Sequence, residues 1–318
     1  MKIAIYLPRF IATVVTGTVV AVFAFATTAG AATTSSFQIS PPTSNYAANP
    51  GVQTTGTIKV TNLTASPLSV RVSKQNFVAK GEEGEIELVD DANPLYSLAP
   101  WFNFDVPQLD VQALGTKELH YTVDIPIGAE PGGRYGSIVF NTVPPKLPNG
   151  QSGAAVQQQI AAIVFQRING AANEKLDIVS FAPQKEFSEY GPVTLLARVK
   201  NTGTVHEKAT GTITIKNLFG LKVSTIALDE HFVIPGAIRR LKNVWPDAKQ
   251  HPLLFGKYTA ELNATYGGGQ KISATTSFTI FPWRLVLAVL IGILIIFVIF
   301  WRGRKRLARA GRILAGRE

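Results

Sequence analysis

The chain has 318 residues, no cysteine and a formal net charge of +10. Without cysteine it has no disulfide, thiolate metal ligand, thiol nucleophile or cysteine-linked lipid anchor, so its domains must be held by burial alone. The charge is uneven: residues 302–318 carry seven basic residues and one acid, and Lys2 and Arg9 add two more positive charges, which leaves about +2 for the body and no ground for nucleic-acid binding.

Lys2 and Arg9 form a basic start, Ile11 to Phe25 is apolar, and Ala29-Gly30-Ala31 offers an A-x-A cleavage pattern. This predicts a signal peptide over residues 1–31, with an uncleaved N-terminal anchor as the alternative. Either one exports the body of the chain.

Residues 33–280 read as strands and turns. Thr57-Ile58-Lys59-Val60-Thr61, Leu68-Ser69-Val70-Arg71-Val72-Ser73, Leu119 to Ile125 and Thr212-Ile213-Thr214-Ile215-Lys216 alternate with a period of two, the pattern of half-buried antiparallel strands. Turn signals recur at Pro50-Gly51, Lys80-Gly81, Pro131-Gly132-Gly133, Pro148-Asn149-Gly150, Asn201-Thr202-Gly203, Pro235-Gly236 and Gly267-Gly268-Gly269. The predicted class is all-β, two tandem immunoglobulin-like β-sandwiches over residues 33–170 and 171–281 followed by one C-terminal transmembrane helix. The boundary is placed near Asn169-Gly170-Ala171-Ala172-Asn173. A rival split falls at Pro144, in the Pro/Gly-rich stretch otherwise read as a hairpin loop between Gly136 to Thr142 and Val156 to Phe165. An internal echo supports two domains: the strand ending Val60-Thr61-Asn62 matches that ending Val199-Lys200-Asn201.

An apolar run over residues 285–301, with Phe281, Pro282 and Trp283 at its outer edge, is long enough to cross a bilayer. The basic cluster after it places the tail, residues 302–318, in the cytoplasm and the body outside. This predicts a membrane helix over residues 282–301 and a single-pass protein of the cell membrane. Trp283-Arg284-Leu285 spells W-x-L, and is read as an interfacial anchor.

Candidate ligand contacts are few, and each has a packing alternative. Trp101 and Phe102, in Trp101-Phe102-Asn103-Phe104, offer faces on which a sugar stacks, or core side chains of a strand. Arg134 and Tyr135 face a glycan, or begin a buried strand. Pro131, Gly132, Gly133, Gly136, Asn201 and Gly203 are read as structural turns. Gly81-Glu82-Glu83-Gly84-Glu85, with Glu87, Asp90 and Asp91, lacks the spacing of a calcium loop and is read as a solvated hairpin tip. His120, His206, His231 and His251 are scattered, and no H-E-x-x-H or G-x-S-x-G motif occurs. No catalytic, metal or cofactor site is expected. Asn62-Leu63-Thr64 and Asn263-Ala264-Thr265 are glycosylation sequons.

Pro131-Gly132-Gly133-Arg134-Tyr135-Gly136, after an alternating strand and Pro126, resembles the first domain of the WxL-interacting proteins of Gram-positive surfaces. The second half resembles the immunoglobulin-like domain that comes after it in those proteins, at Asn201-Thr202-Gly203-Thr204-Val205-His206, Asn217-Leu218-Phe219-Gly220, Ile234-Pro235-Gly236 and Gly256-Lys257-Tyr258. The resemblance implies a first domain that binds peptidoglycan and a second that binds host matrix or surface proteins. The expectation is a non-enzymatic, membrane-anchored surface protein whose outer domain contacts cell-wall polymer or a surface protein. The alternatives are an accessory scaffold subunit of a membrane complex and an anchored export chaperone that donates a strand edge. The oligomeric state is left open.

Overall fold

The structure, a computed structural model, describes residues 35–90, 93, 95–144, 157–246 and 254–314, with side chains to Arg304. The signal over residues 1–31, Asp91, the Pro148-Asn149-Gly150 turn and His251 lie outside the described residues.

The first sandwich contains β1 (Phe37–Ser40), β2 (Thr43–Ala48), β3 (Gln53–Asn62), β4 (Leu68–Lys80), β5 (Glu85–Val89), β6 (Phe102–Phe104), β7 (Gln108–Val111), β8 (Thr116–Asp124), β9 (Gly132–Thr142) and β10 (Gln159–Ile168). One sheet has the order β1-β3-β8-β6, and the other β2-β10-β9-β4-β5 with β7 also on β4. Alternation decides which face is inside. Ile58 and Val60 of β3 and Leu119, Tyr121 and Val123 of β8 are buried, while Thr57, Lys59 and His120 face out. These side chains meet Phe37, Phe102, Phe140 and Val164 in one core.

The second sandwich contains β11 (Leu176–Pro183), β12 (Phe187–Ser188), β13 (Val193–Asn201), β14 (Glu207–Lys208), β15 (Thr210–Asn217), β16 (Lys222–Ala227), β17 (Phe232–Val233), β18 (Ile238–Trp245), β19 (Gly256–Tyr266) and β20 (Gln270–Ile280). Its sheets run β11-β13-β18 and β12-β20-β19-β15-β16, with a small β14-β17 pair beside them. Leu195, Val199, Ile213 and Leu241 fill its core, and Trp245 closes one end against the rings of Tyr258 and Phe278.

The two echoed asparagines do the same work. Asn201 is fully buried; its Nδ2 donates to the carbonyls of Val205 and Val233, both at 2.7 Å, and its Oδ1 accepts from the Gly203 N–H at 2.8 Å. Asn62 donates to the carbonyls of Ser66 at 2.7 Å and Gln112 at 3.1 Å, and accepts from the Thr64 N–H at 2.9 Å. Each amide ties a strand end to two other segments of its sandwich. Asn62 is 1% exposed, so in the folded chain its sequon presents no free amide.

The sandwiches interlock. The β4–β5 hairpin tip, expected to be solvated, docks on the second sandwich, because its carboxylates meet a row of cations on β13 and β18. Glu82 pairs with Arg198 and Arg240, and Glu83 with Arg240 at 2.9 Å and Lys242 at 2.6 Å. Those cations hold the carboxyls of both residues below their ordinary range, Arg198 acting most on Glu82 and Lys242 on Glu83. The Arg240 N–H donates to the Glu82 carbonyl at 2.8 Å. Across the joint, Arg167 pairs with Glu174 and Glu207, and the His206 Nε2 lies 3.0 Å from the Asn45 Oδ1.

β20 runs almost directly into α1 (Trp283–Leu314). The Phe281 N–H donates to the Ser188 carbonyl at 2.9 Å, and the Val286 N–H to the Pro282 carbonyl at 3.0 Å. The segment Trp283–Arg304 has a mean hydropathy of 2.9 and buries none of its apolar window against the rest of the chain. By length and composition it suits a bilayer.

Candidate protein-binding edge

The structure brings two of the four predicted contact residues together. The Arg134 guanidinium lies 5.6 Å from the centre of the Trp101 ring, a cation–π pair. Arg134 is itself buried; it donates to the carbonyls of Gly133 at 3.1 Å and Glu130 at 3.2 Å, and desolvation lowers its pKa. Phe102, 1% exposed, belongs to the first core, edge-on to Tyr121. Tyr135, 3% exposed, sits in a separate cluster with Phe77 and Phe165 that Phe232 and Ile234 of the second sandwich cover.

Gly132, Gly133 and Gly136, read as turns, lie within strand β9 instead, and the first two serve the joint with the second sandwich. The Gly133 N–H donates to the Thr204 carbonyl of the second sandwich at 2.9 Å, and a Cβ on Gly133 would lie 1.9 Å from the Tyr135 hydroxyl oxygen. A Cβ on Gly203 would lie 2.3 Å from the Asn173 carbonyl oxygen, so no side chain fits there. Pro131 precedes β9, and Gly136 packs against Phe102 and Leu98.

A different feature has the geometry of a binding site: one half of β10. β9 covers one side of β10 along its full length, from Gln159 opposite Asn141 to Ile168 opposite Gly132. The Thr142 N–H donates to the Gln158 carbonyl at 3.0 Å, so even-numbered residues of β10 bond β9 and odd-numbered ones point their N–H and C=O the other way. On that other side β2 pairs only from Ile163 to Ile168, beginning where the Ile163 N–H donates to the Pro42 carbonyl at 2.9 Å. Among the described residues, the outward N–H and C=O of Gln159 and Ala161 have no backbone partner. β1, at the edge of the facing sheet, borders this gap; the Ser36 hydroxyl donates to the Gln158 Oε1 at 2.6 Å. Between the two edges Ile160 packs on the first core and Ala162 belongs to it.

Three other edges carry features that hinder strand addition. β18 meets the Glu82 carbonyl, β6 has three residues, and β16 carries the exposed Lys222 as a guard. A cavity of about 240 Å³ lies nearby, lined by Thr43, Phe77, Ile163, Phe165 and Phe232. Among the described residues no three His, Asp or Glu side chains gather to hold a metal.

No family model and no curated protein matches the chain. Solved structures do. The chain is similar to a chain of the chaperone–tip adhesin complex of CFA/I fimbriae (11% identity, TM-score 0.39, 77% of this chain and 99% of that one). It is also similar to a chain of the Salmonella enterica SafA pilin–SafB chaperone complex (15% identity, TM-score 0.37, 77% and 96%) and to the E. coli chaperone DraB (12% identity, TM-score 0.36, 77% and 96%). These are fimbrial chaperones and not WxL-interacting proteins, and no family model supports the latter, so the resemblance drawn from the sequence is corrected. Its motif, Pro131 to Gly136, is accounted for by packing: it forms the start of β9 and the contact with Thr204, and peptidoglycan binding has no support. The chain is all-β with one apolar helix.

Proposed function

We propose that the protein is a membrane-anchored binding protein of the export-chaperone kind, which takes an extended segment of an exported surface protein as an added strand on β10. The observation that carries this reading is the half of β10 that no described strand covers, with two outward N–H and C=O pairs beside an apolar groove. It rests on that edge and not on the likeness to fimbrial chaperones. An added strand gains main-chain hydrogen bonds from Gln159 and Ala161, each worth about 0.5–1.5 kcal/mol net, and its alternate side chains enter the groove over Ile160 and Ala162. α1 spans the membrane in this reading and holds the edge at the cell surface.

Ala161→Pro tests it. The Ala161 N–H does not belong to the β9 ladder, so proline removes the outward donor and leaves that ladder whole. Binding falls at least about tenfold, from one hydrogen bond and the ring's obstruction together, while the melting temperature changes little. The measurement is photocrosslinking in cells from residue 159 or 161, with residue 224 on β16 as control. Surface proteins crosslinked from 159 and 161, absent from 224 and lost in the Ala161→Pro chain, support strand addition. Equal yields from all three positions sink it.

A further inference from the structure

β19 is the ruler for the second sandwich. Its Tyr258 stands opposite Asn217, the last residue of β15, and also opposite Phe278 of β20. Two residues further along, Gly256 stands opposite Ile280, where β20 passes into the helix. The turn of the β15–β16 hairpin, residues 218–221, therefore lies at the helix end of the sandwich. Its root is about 7 Å short of Ile280 at roughly 3.4 Å per strand residue.

That turn is built to project apolar side chains. Leu218, Phe219 and Leu221 are 68%, 82% and 64% exposed. Its backbone is already satisfied from within: the Asn217 Oδ1 accepts from the N–H groups of Phe219 and Leu221, both at 3.0 Å, and the Asn217 N–H donates to the Leu221 carbonyl at 2.9 Å. Gly220 completes the reversal at φ +75°. The tip thus holds its shape without packing on anything, and its three large side chains have no core to serve.

They are not alone at that end. Phe255 is 61% exposed, and Phe187 and Tyr190 are exposed too, on segments that β12 and β19 bring to the same level. Scattered exposed apolar residues are ordinary, but a group of them next to an apolar helix is a contact surface. Around them stand the exposed Lys185, Lys222 and Lys257, against Glu186 and the Glu189 that pairs with Arg284 at 3.6 Å. Among the described residues the opposite end shows no such group: there Gly267 and Gly268 donate to Glu207 and Glu174 beside the first sandwich.

We infer that the second sandwich rests on the bilayer and sinks the hairpin tip at residues 218–221 into the headgroup region beside the helix, so that the protein holds its membrane at two points. The occupant of this surface is lipid, because the surface is continuous with the start of a helix whose length and hydropathy suit a bilayer. The inference rests on that helix spanning the membrane.

The absence of cysteine allows clean labelling. The full chain carries a single cysteine labelled with an environment-sensitive fluorophore, as Phe219→Cys, Ile291→Cys or Gly268→Cys. It is reconstituted in vesicles of phosphatidylcholine and phosphatidylglycerol that contain nitroxide lipids. The expected result is quenching of the 291 label by nitroxides deep in the acyl chains, blue-shifted emission and quenching of the 219 label by shallow nitroxides, and neither at 268. A 219 label that behaves like the 268 label, while 291 is quenched, overturns the inference and leaves the tip to a protein partner. A 291 label that escapes quenching overturns both the inference and the spanning helix on which it rests.

Discussion

Asn201→Ala destabilises the second sandwich by about 3 kcal/mol, and Asn62→Ala does the same to the first. The Asn201 amide satisfies the carbonyls of Val205 and Val233 and the N–H of Gly203 inside the protein. Truncation leaves three buried backbone groups unpaired, each costing about 1–3 kcal/mol before relaxation, and relaxation keeps the sum below full addition. Asn201→Asp is at least as damaging: it keeps an acceptor for Gly203 but turns the other oxygen, as a buried charge, toward two carbonyls. Chemical denaturation of the full chain in detergent checks this. A loss below about 1 kcal/mol for both alanine variants would mean that the loops hold themselves without the amides.

The second large effect is a loss of stability in mild acid, traced to His206. The ring is 5% exposed; Phe165, Tyr135 and Phe232 surround it, and Asn45 is its hydrogen-bond partner. Desolvation, with a smaller push from the charge of Arg167, lowers its pKa from 6.5 to about 4. The folded chain therefore holds a neutral imidazole where the unfolded chain binds a proton. The stabilisation is complete above pH 6.5 and is lost as pH falls through 6.5 toward 4. It amounts to about 2–3 kcal/mol at pH 4.5. His206→Gln, which keeps a donor for Asn45, should flatten the stability profile between pH 7 and 4.5. Denaturation midpoints of both chains across that range measure the difference, and parallel profiles would assign the acid response to other groups. Glu207 works against it in part, because burial raises its carboxyl pKa.

Both asparagines stood out in the sequence because strand ends and Asx turns are local. The strands were legible where one face meets the core and the other meets water, as in β3, β8 and β15. β9 and the second half of β10 do not alternate, and the reason is now plain: their outer face is covered too, by Ile86, Leu88 and Tyr96 of the first sandwich together with Phe232 and Ile234 of the second, so the run Ile163-Val164-Phe165 is apolar on both sides. The joint itself was hidden. Glu82 meets Arg198 and Arg240 across more than a hundred residues, and no local pattern marks such a pair, so an acidic tip looked like a solvated one. The same holds for Tyr135, whose turn motif suggested a family while its side chain was committed to Phe77, Phe165 and His206. The open edge was also out of reach. Which half of β10 is uncovered depends on where β2 lies, and β2 comes from the other end of the domain.

The short passage from β20 into α1 has a mechanical meaning. A pull on the helix travels along β20, whose eleven residues are paired antiparallel with β19 from Ile280 to Gln270. The ladder bonds lie across the strands, so a load along the strand shears them together instead of opening them one by one. The strand nearest the anchor is thus also the one best placed to resist extraction, and tension between a captured partner and the membrane would be borne by a clamp rather than a zipper.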